Sequence, residues 1–440
     1  PTLRVLMFPW LALGHVGPFL RIAKQLADRG FVIYLVSTAV VLESTKKRIP
    51  EKYSDSIHLV ELALPLLPEL PSHYHTTNGL PPHLNGVLRK ALKMAAPEFS
   101  KILQNLRPDL VLYDALQPWA EKVALSQGIP AVPLLTSGAA LFAYFFNFLK
   151  RLGQEFPFEA IRLSKRAQDK LREAMATVPT ELDFLAPQNA KIMLMCTSRV
   201  IEAKYLDYCQ KFTGVKVVPV GPPFQDPLTE DIDDPELIRW LDTKPPNSVV
   251  YVSFGSEAFL SRRDMEEVAF GLELSLVNFI WVARFPKGRE QNLEDVLPPG
   301  FLDRVRDRGR VRDHLVPQAH ILSHKATGGF ISHCGWNSVM EAIDFGVPII
   351  AMPQQWDQPI NARLLVELGV AVEIVRREDG SIPRDEIAQV LRDVIHGPTG
   401  EKLRRNCRDL AKLLRLRRDV EMTIAAEELI RLGRHRNAYK

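Results

Sequence analysis

Short apolar runs of strand character alternate along this chain with longer stretches whose apolar residues recur at three- and four-residue intervals. Residues 4–9, 32–37, 57–62 and 110–113 read as strands, and 18–30 reads as a helix between the first two. The rhythm starts afresh at 248–254 and continues through 279–283, 329–332, 348–352 and 371–374, again with helical spacing between the runs. Two series of strand–helix–strand units imply an α/β fold with two parallel sheets. Between them, residues 217–235 hold Pro219, Pro222, Pro223, Pro227 and Pro235 among acidic residues, a composition that suits an extended linker. The chain is therefore divided into a first domain at 1–218, a linker at 219–236, a second domain at 237–418 and a helical tail at 419–440. Parallel sheets covered by helices bind ligands beyond the carboxyl ends of their strands, so two facing sheets share an interdomain cleft, and the chemistry is expected there.

Composition narrows the picture. A chain of 440 residues exceeds what one core organises, and 46% hydrophobic with 25% charged residues is the make-up of a soluble globular protein. The 56 basic and 52 acidic residues leave a net charge of +4. The basic clusters at 412–418 and 431–436 lie where the spacing is helical and read as solvated surface, so nucleic acid is not an expected partner. Cys196, Cys209, Cys334 and Cys407 form no CxxC pair, which argues against a disulfide framework or structural zinc and fits a cytoplasmic, reducing setting. The apolar start at 3–13 has Arg4 as its one basic residue and reads as a buried strand rather than a leader, and no apolar run reaches transmembrane length.

The richest chemistry lies in one segment. It reads Leu315-Val316-Pro317-Gln318, then His333-Cys334-Gly335-Trp336-Asn337-Ser338, then Glu341, and finally Asp357-Gln358. Residues 330–332 look like a strand end and 338–345 like a helix, which makes 333–338 a strand-to-helix turn. A helix N-terminus offers unpaired N–H groups and a positive dipole to an anion. Gly335 lets the backbone approach it closely, while His333, Asn337 and Ser338 add donors, so a diphosphate fits here. Taken singly, His333 or Trp336 is what a core residue looks like; their joint spacing points to a site. Cys334 has no partner pair at metal-binding spacing and is read as structural.

A second candidate lies at the end of the first strand run, where His15 follows Gly14 in a turn before the helix. Imidazole, with a pKa near ~6.5, can take a proton from a hydroxyl nucleophile at neutral pH. Asp114 ends the run at 110–113 and can accept a hydrogen bond from the other ring nitrogen; it serves equally as the N-cap of a helix over 115–124.

These motifs resemble the plant family-1 UDP-sugar glycosyltransferases, whose GT-B fold sets two Rossmann-like domains face to face. The resemblance implies an inverting transfer from a UDP-sugar, with His15 as general base oriented by Asp114 and with no metal or other cofactor. His333, Asn337 and Ser338 would hold the diphosphate together with Ser256. Gln318 and Glu341 would take the ribose, while Trp336, Asp357 and Gln358 would contact the sugar, Gln358 favouring glucose. The family's segment normally opens on a tryptophan that stacks on uracil. This chain has Leu315, with Val316 beside it and His314 before it, so its hold on the base is expected to differ. Asp231 and Asp233 match the DxD of metal-dependent transferases, but acidic residues in a Pro-rich linker read as solvated.

Segments 75–82 and 114–119 resemble the branch-forming members, which add a sugar to a sugar already on a small plant metabolite. The acceptor is then a glycoside, and the aromatic residues of 137–148 supply either an apolar wall for it or ordinary helix core. By the same resemblance the tail at 419–432 returns to pack on the first domain. Two rival classes remain. A nicotinamide-dependent oxidoreductase would need a GxGxxG turn, which is absent after the first strand. A non-catalytic sugar-nucleotide-binding protein would not need His15 and Asp114.

Overall fold

The computed structural model describes residues 2–150, 155–176, 189–222, 234–255, 259–285, 292–377 and 379–437. The chain forms two compact units. One comprises Pro1–Glu155, Val178–Pro223 and Leu414–Lys440, the other Phe156–Thr177 and Phe224–Leu413.

The first unit is built on β1 (Arg4–Phe8), β2 (Val32–Ser37), β3 (Ile57–Glu61), β4 (Leu110–Asp114), β5 (Ala131–Leu135), β6 (Ile192–Met195) and β7 (Lys216–Pro219). They pair in the order β3-β2-β1-β4-β5-β6-β7, all parallel. Side chains alternate across a strand, so Val5 and Met7 enter one core layer with Phe19, Leu112 and Leu134, while Leu6 and Phe8 enter the other with Phe99 and Tyr113. Burial on both faces is why these runs are apolar throughout. The second unit repeats the plan with β8 (Val249–Ser253), β9 (Asn278–Val282), β10 (Gly309–Arg312), β11 (Thr327–Ser332), β12 (Ile349–Ala351) and β13 (Ala371–Glu373). Their order is β10-β9-β8-β11-β12-β13, again parallel. Both units thus have the doubly wound order 3-2-1-4-5-6, the first extended by one strand.

Several local expectations are corrected. The first helix is Leu13–Ala27, not 18–30; Pro18 lies inside it, and His15 is on its first turn rather than in a turn before it. The helix after His333 is Trp336–Asp344, not 338–345, so Asn337 as well as Ser338 is on its first turn. Asp114 is not an N-cap: the next helix is Pro118–Ser126, preceded by Gln117. The expected linker opens as strand β7, because Val217 and Val218 are buried in the sheet, and Pro235 begins the helix Pro235–Asp242. Residues 223–233, with Asp231 and Asp233, lie outside the described residues.

The tail is part of one helix, Pro398–Asn437, whose Met422, Ala425 and Leu429 join the core layer of Val5 and Met7 in the first unit. Glu421 on this helix accepts from Ser198 Oγ at 3.0 Å and Arg199 N at 2.9 Å, holding the start of the helix Arg199–Thr213. Phe156–Thr177 groups with the second unit, where the turn Glu159–Ile161 packs on the helix Gln358–Glu367, a placement that the linear division at 218 does not carry. No helix among the described residues is long and apolar enough to cross a membrane.

Candidate active site

In a doubly wound sheet the connections diverge between the first and fourth strands, which opens a crevice at their carboxyl ends. In the first unit that point lies between β1 and β4, paired up to Phe8 and Tyr113. His15 follows β1 on the first turn of its helix, and Asp114 is the last residue of β4. His15 Nδ1 lies 2.7 Å from Asp114 Oδ2. Asp114 is 1% exposed; its Oδ2 also accepts from Trp10 N at 3.2 Å and its Oδ1 from Leu116 N at 3.0 Å. One carboxylate therefore ties the end of β1, the imidazole and its own loop together.

Thr136, just after β5, was not singled out from sequence, yet its Oγ1 lies 3.0 Å from His15 Nδ1. The signal was there to find: the apolar run 131–135 ends in Thr136 as the run 110–113 ends in Asp114. The segment at 75–78 also meets this place, because Thr76 Oγ1 and Thr77 N both donate to Leu11 O, at 3.1 and 3.0 Å. Beside the helix start a cavity of about 110 Å³ is lined by Leu11, Leu13, Val16, Val41, Thr76 and Asn78. Of the aromatic residues at 137–148, Phe142 and Tyr144 are core; Phe145, Phe146 and Phe148 are half-buried.

In the second unit the corresponding point lies between β8 and β11, paired up to Ser253 and Ser332. Gly255 follows β8 and His333 follows β11. A Cβ on Gly335 would stand 2.4 Å from His333 Nε2 and one on Gly255 2.6 Å from it, so two glycines make room for this ring. Enclosure strips water from the imidazole and pushes His333 down to about 4, against a weaker pull upward from its hydrogen bond with the Ser253 backbone. Its Nδ1 is buried without a protein partner. Cys334, between them, has φ 67°, a left-handed conformation unusual for a side chain of this kind, and is 0% exposed. Burial pushes its thiol up, which suits a structural rather than a nucleophilic residue.

A neutral buried histidine makes stability depend on pH. The unfolded chain binds the proton near ~6.5 and the folded one near 4, so stability is full above ~6.5 and falls as the pH drops towards 4, by up to about 3 kcal/mol. Urea midpoints at pH 7 and pH 5 measure this, and His333→Gln is expected to flatten the slope.

The remaining residues of the segment come together unevenly. Gln318, at the start of the helix Gln318–Ser323, donates from Nε2 to Glu341 Oε2 at 2.8 Å and to Ser338 Oγ at 3.3 Å, and Tyr251 OH donates to its Oε1 at 3.4 Å. Leu315 is 48% exposed and Val316 half-buried. Trp336 is 4% exposed, so its indole packs inward and its backbone is what it presents. Gln358 Oε1 accepts from Gln354 N at 2.9 Å and Gln355 N at 3.0 Å, and the residue is buried. Asp357 Oδ2 accepts from Asn361 Nδ2 at 2.8 Å, an interaction not read from sequence although the two stand four apart on a helix. Ser256 lies outside the described residues. Among the described residues no group of three His, Cys, Asp or Glu side chains is placed to hold a metal ion.

Each of the two parallel sheets thus carries a polar cluster at its switch point, the second at a strand-to-helix turn. The family described as "UDP-glucoronosyl and UDP-glucosyl transferase" matches residues 137–419, and a glycosyltransferase N-terminal domain matches residues 2–225. The chain is 49% identical over 435 residues to beta-D-glucosyl crocetin beta-1,6-glucosyltransferase of Gardenia jasminoides, covering 97% of this chain and 98% of that protein. It is 45% identical to a mogroside IIIx synthase of Siraitia grosvenorii, covering 94% and 90%. Among solved structures, Phytolacca americana UGT2 with UDP-2fluoro-glucose and pterostilbene superimposes with a TM-score of 0.77 at 29% identity, covering 98% and 100% of the two chains. The chain belongs to the UDP-glucuronosyl and UDP-glucosyl transferase family, as a GT-B enzyme that uses a UDP-sugar as co-substrate.

Proposed function

We propose that this enzyme transfers glucose from UDP-glucose, with inversion at the anomeric carbon, to a sugar hydroxyl of a small plant glycoside in the cytoplasm. The observation that carries the reading is the 2.7 Å hydrogen bond between His15 Nδ1 and Asp114 Oδ2. A carboxylate on Nδ1 keeps the proton there and leaves the basic lone pair on Nε2. Nε2 takes the acceptor's hydroxyl proton as that oxygen bonds to the anomeric carbon. The bond from this carbon to the β-phosphate oxygen breaks, and its electron pair departs with UDP. Charge growing on the diphosphate meets the N-terminus of the helix Trp336–Asp344, with His333, Asn337, Ser338 and Ser256 as further donors, and no metal is given a role. Gln318 and Glu341 take the ribose. Asp357 accepts from, and Gln358 Nε2 donates to, hydroxyls of the sugar.

The glycoside acceptor is supported by the Gardenia relative, named for transfer to a glucosyl compound. Four buried free thiols fit a reducing compartment. Incubation with UDP-glucose and a panel of plant monoglycosides should release UDP and add one hexosyl unit to an acceptor. UDP binding without product from any pair would favour a non-catalytic binding protein.

Exposed Leu315 at the base end leads to a further expectation. Stacking of a base on an aromatic ring contributes about 1–3 kcal/mol. Leu315→Trp should lower KM for UDP-glucose about fivefold or more with kcat unchanged; an unaltered KM would mean that another group already covers the base.

A further inference from the structure

We infer that Asn361 is a positioning residue that ties the diphosphate turn to the sugar-binding carboxylate, an inference that rests on the reading of that turn and of Asp357 given above. Asn361 lies in the helix Gln358–Glu367 and is 0% exposed, among the buried apolar Ile360, Ala362, Leu364 and Leu365. Its Nδ2 donates to the Cys334 carbonyl at 3.0 Å and to Asp357 Oδ2 at 2.8 Å. Both partners can only accept, so they fix which way the amide faces. Asp357 is the residue just before the same helix, but Cys334 is 27 residues away along the chain.

The bond to Cys334 sets more than one atom. Cys334 is held at φ 67°, a conformation that persists only where its surroundings impose it. In a trans peptide the C=O and the following N–H point in opposite directions. Anchoring the Cys334 carbonyl on Asn361 therefore aims the Gly335 N–H away from the core, to the side from which a diphosphate approaches the helix N-terminus. The second hydrogen of the same NH2 group holds one oxygen of Asp357 and so orients the carboxylate that accepts from the sugar. A single buried amide thereby sets a donor at the phosphate end and an acceptor at the sugar end of one ligand. An apolar side chain of like size would fill the space and set neither.

The test is a double-mutant cycle read with two ligands. Asn361→Ala, Asp357→Ala, the double variant and the unsubstituted enzyme are titrated calorimetrically with UDP and with UDP-glucose. Asn361→Ala is expected to weaken UDP about 10-fold and UDP-glucose by more, about 100-fold, whereas Asp357→Ala weakens UDP-glucose and leaves UDP unchanged. On the Asn361→Ala background the Asp357→Ala loss should largely vanish, since the carboxylate is already disordered. Unchanged UDP affinity in folded Asn361→Ala, or losses that simply add, would overturn the inference. If Asp357→Ala alone leaves UDP-glucose affinity intact, the reading of Asp357 as a sugar contact fails instead, and the UDP affinity of Asn361→Ala still decides the link to the turn. Should Asn361→Ala not fold, Asn361→Leu, which fills the space and sets neither partner, carries the same comparison with the same expected losses.

Discussion

Alanine in place of His15 is expected to lower kcat about 100- to 10,000-fold, the range lost when a positioned general base is removed, with UDP affinity unchanged. The imidazole sits in the first unit, whereas the residues assigned to UDP are in the second, so the deletion removes proton transfer and spares donor binding. His15 is about a quarter exposed and on the first turn of its helix, where alanine is a good helix former, so the fold should survive. The measurement is kcat at saturating UDP-glucose, with UDP titrated calorimetrically alongside. A fall of less than about 10-fold would remove His15 from the base role.

Where the sequence spoke, it spoke through patterns that strand geometry enforces. Apolar runs at 4–9, 110–113 and 248–254 marked β1, β4 and β8, because parallel strands buried on both faces leave no room for polar residues. β10 shows no such run, because Gly309–Arg312 is an edge strand in which two arginines interrupt the apolar pattern, Arg312 being held by Asp234. β7 is masked in the sequence by the five prolines of 217–235, which give a linker composition to a stretch that opens on the buried Val217 and Val218. The helix at His15 begins five residues before Pro18, which is tolerated inside its second turn.

The site was legible to the same degree. His333, Asn337, Ser338 and Glu341 stand at one strand-to-helix junction, so spacing alone groups them. Thr136, Gly255 and Asn361 act through partners far along the chain: 121 residues separate Thr136 from His15. Only folding brings such pairs together, and no local pattern records them. Gly335 is readable from sequence as a point of close backbone approach, and the fold adds a second reason, room for the His333 ring. Its backbone, at φ −63° and ψ 133°, is open to any residue, so conformational freedom is not what it supplies.

That distinction makes Gly335→Ala a clean experiment, with UDP affinity expected to fall about 100-fold while the fold is kept. The new Cβ would stand 2.4 Å from His333 Nε2 and 3.0 Å from Cε1, too close for both to keep their places. Either the imidazole swings out or the turn opens, and in both cases the donors of His333 and of the Gly335 backbone no longer converge on one anion. Hydrogen bonds to a charged group contribute about 1.5–3 kcal/mol each, so losing one in full, or two in part, corresponds to the expected change. The thermal midpoint should move little, since alanine restricts the unfolded chain at a backbone geometry it accepts, which offsets part of the local crowding. Gly255→Ala is the contrasting variant. It strikes the same ring at 2.6 Å but from φ 79°, where a side chain is strained, so it should lose stability together with UDP affinity. If Gly335→Ala bound UDP as tightly as the unsubstituted enzyme, the imidazole would have no part in holding the diphosphate, and the anion would have to be placed on the helix N-terminus without it.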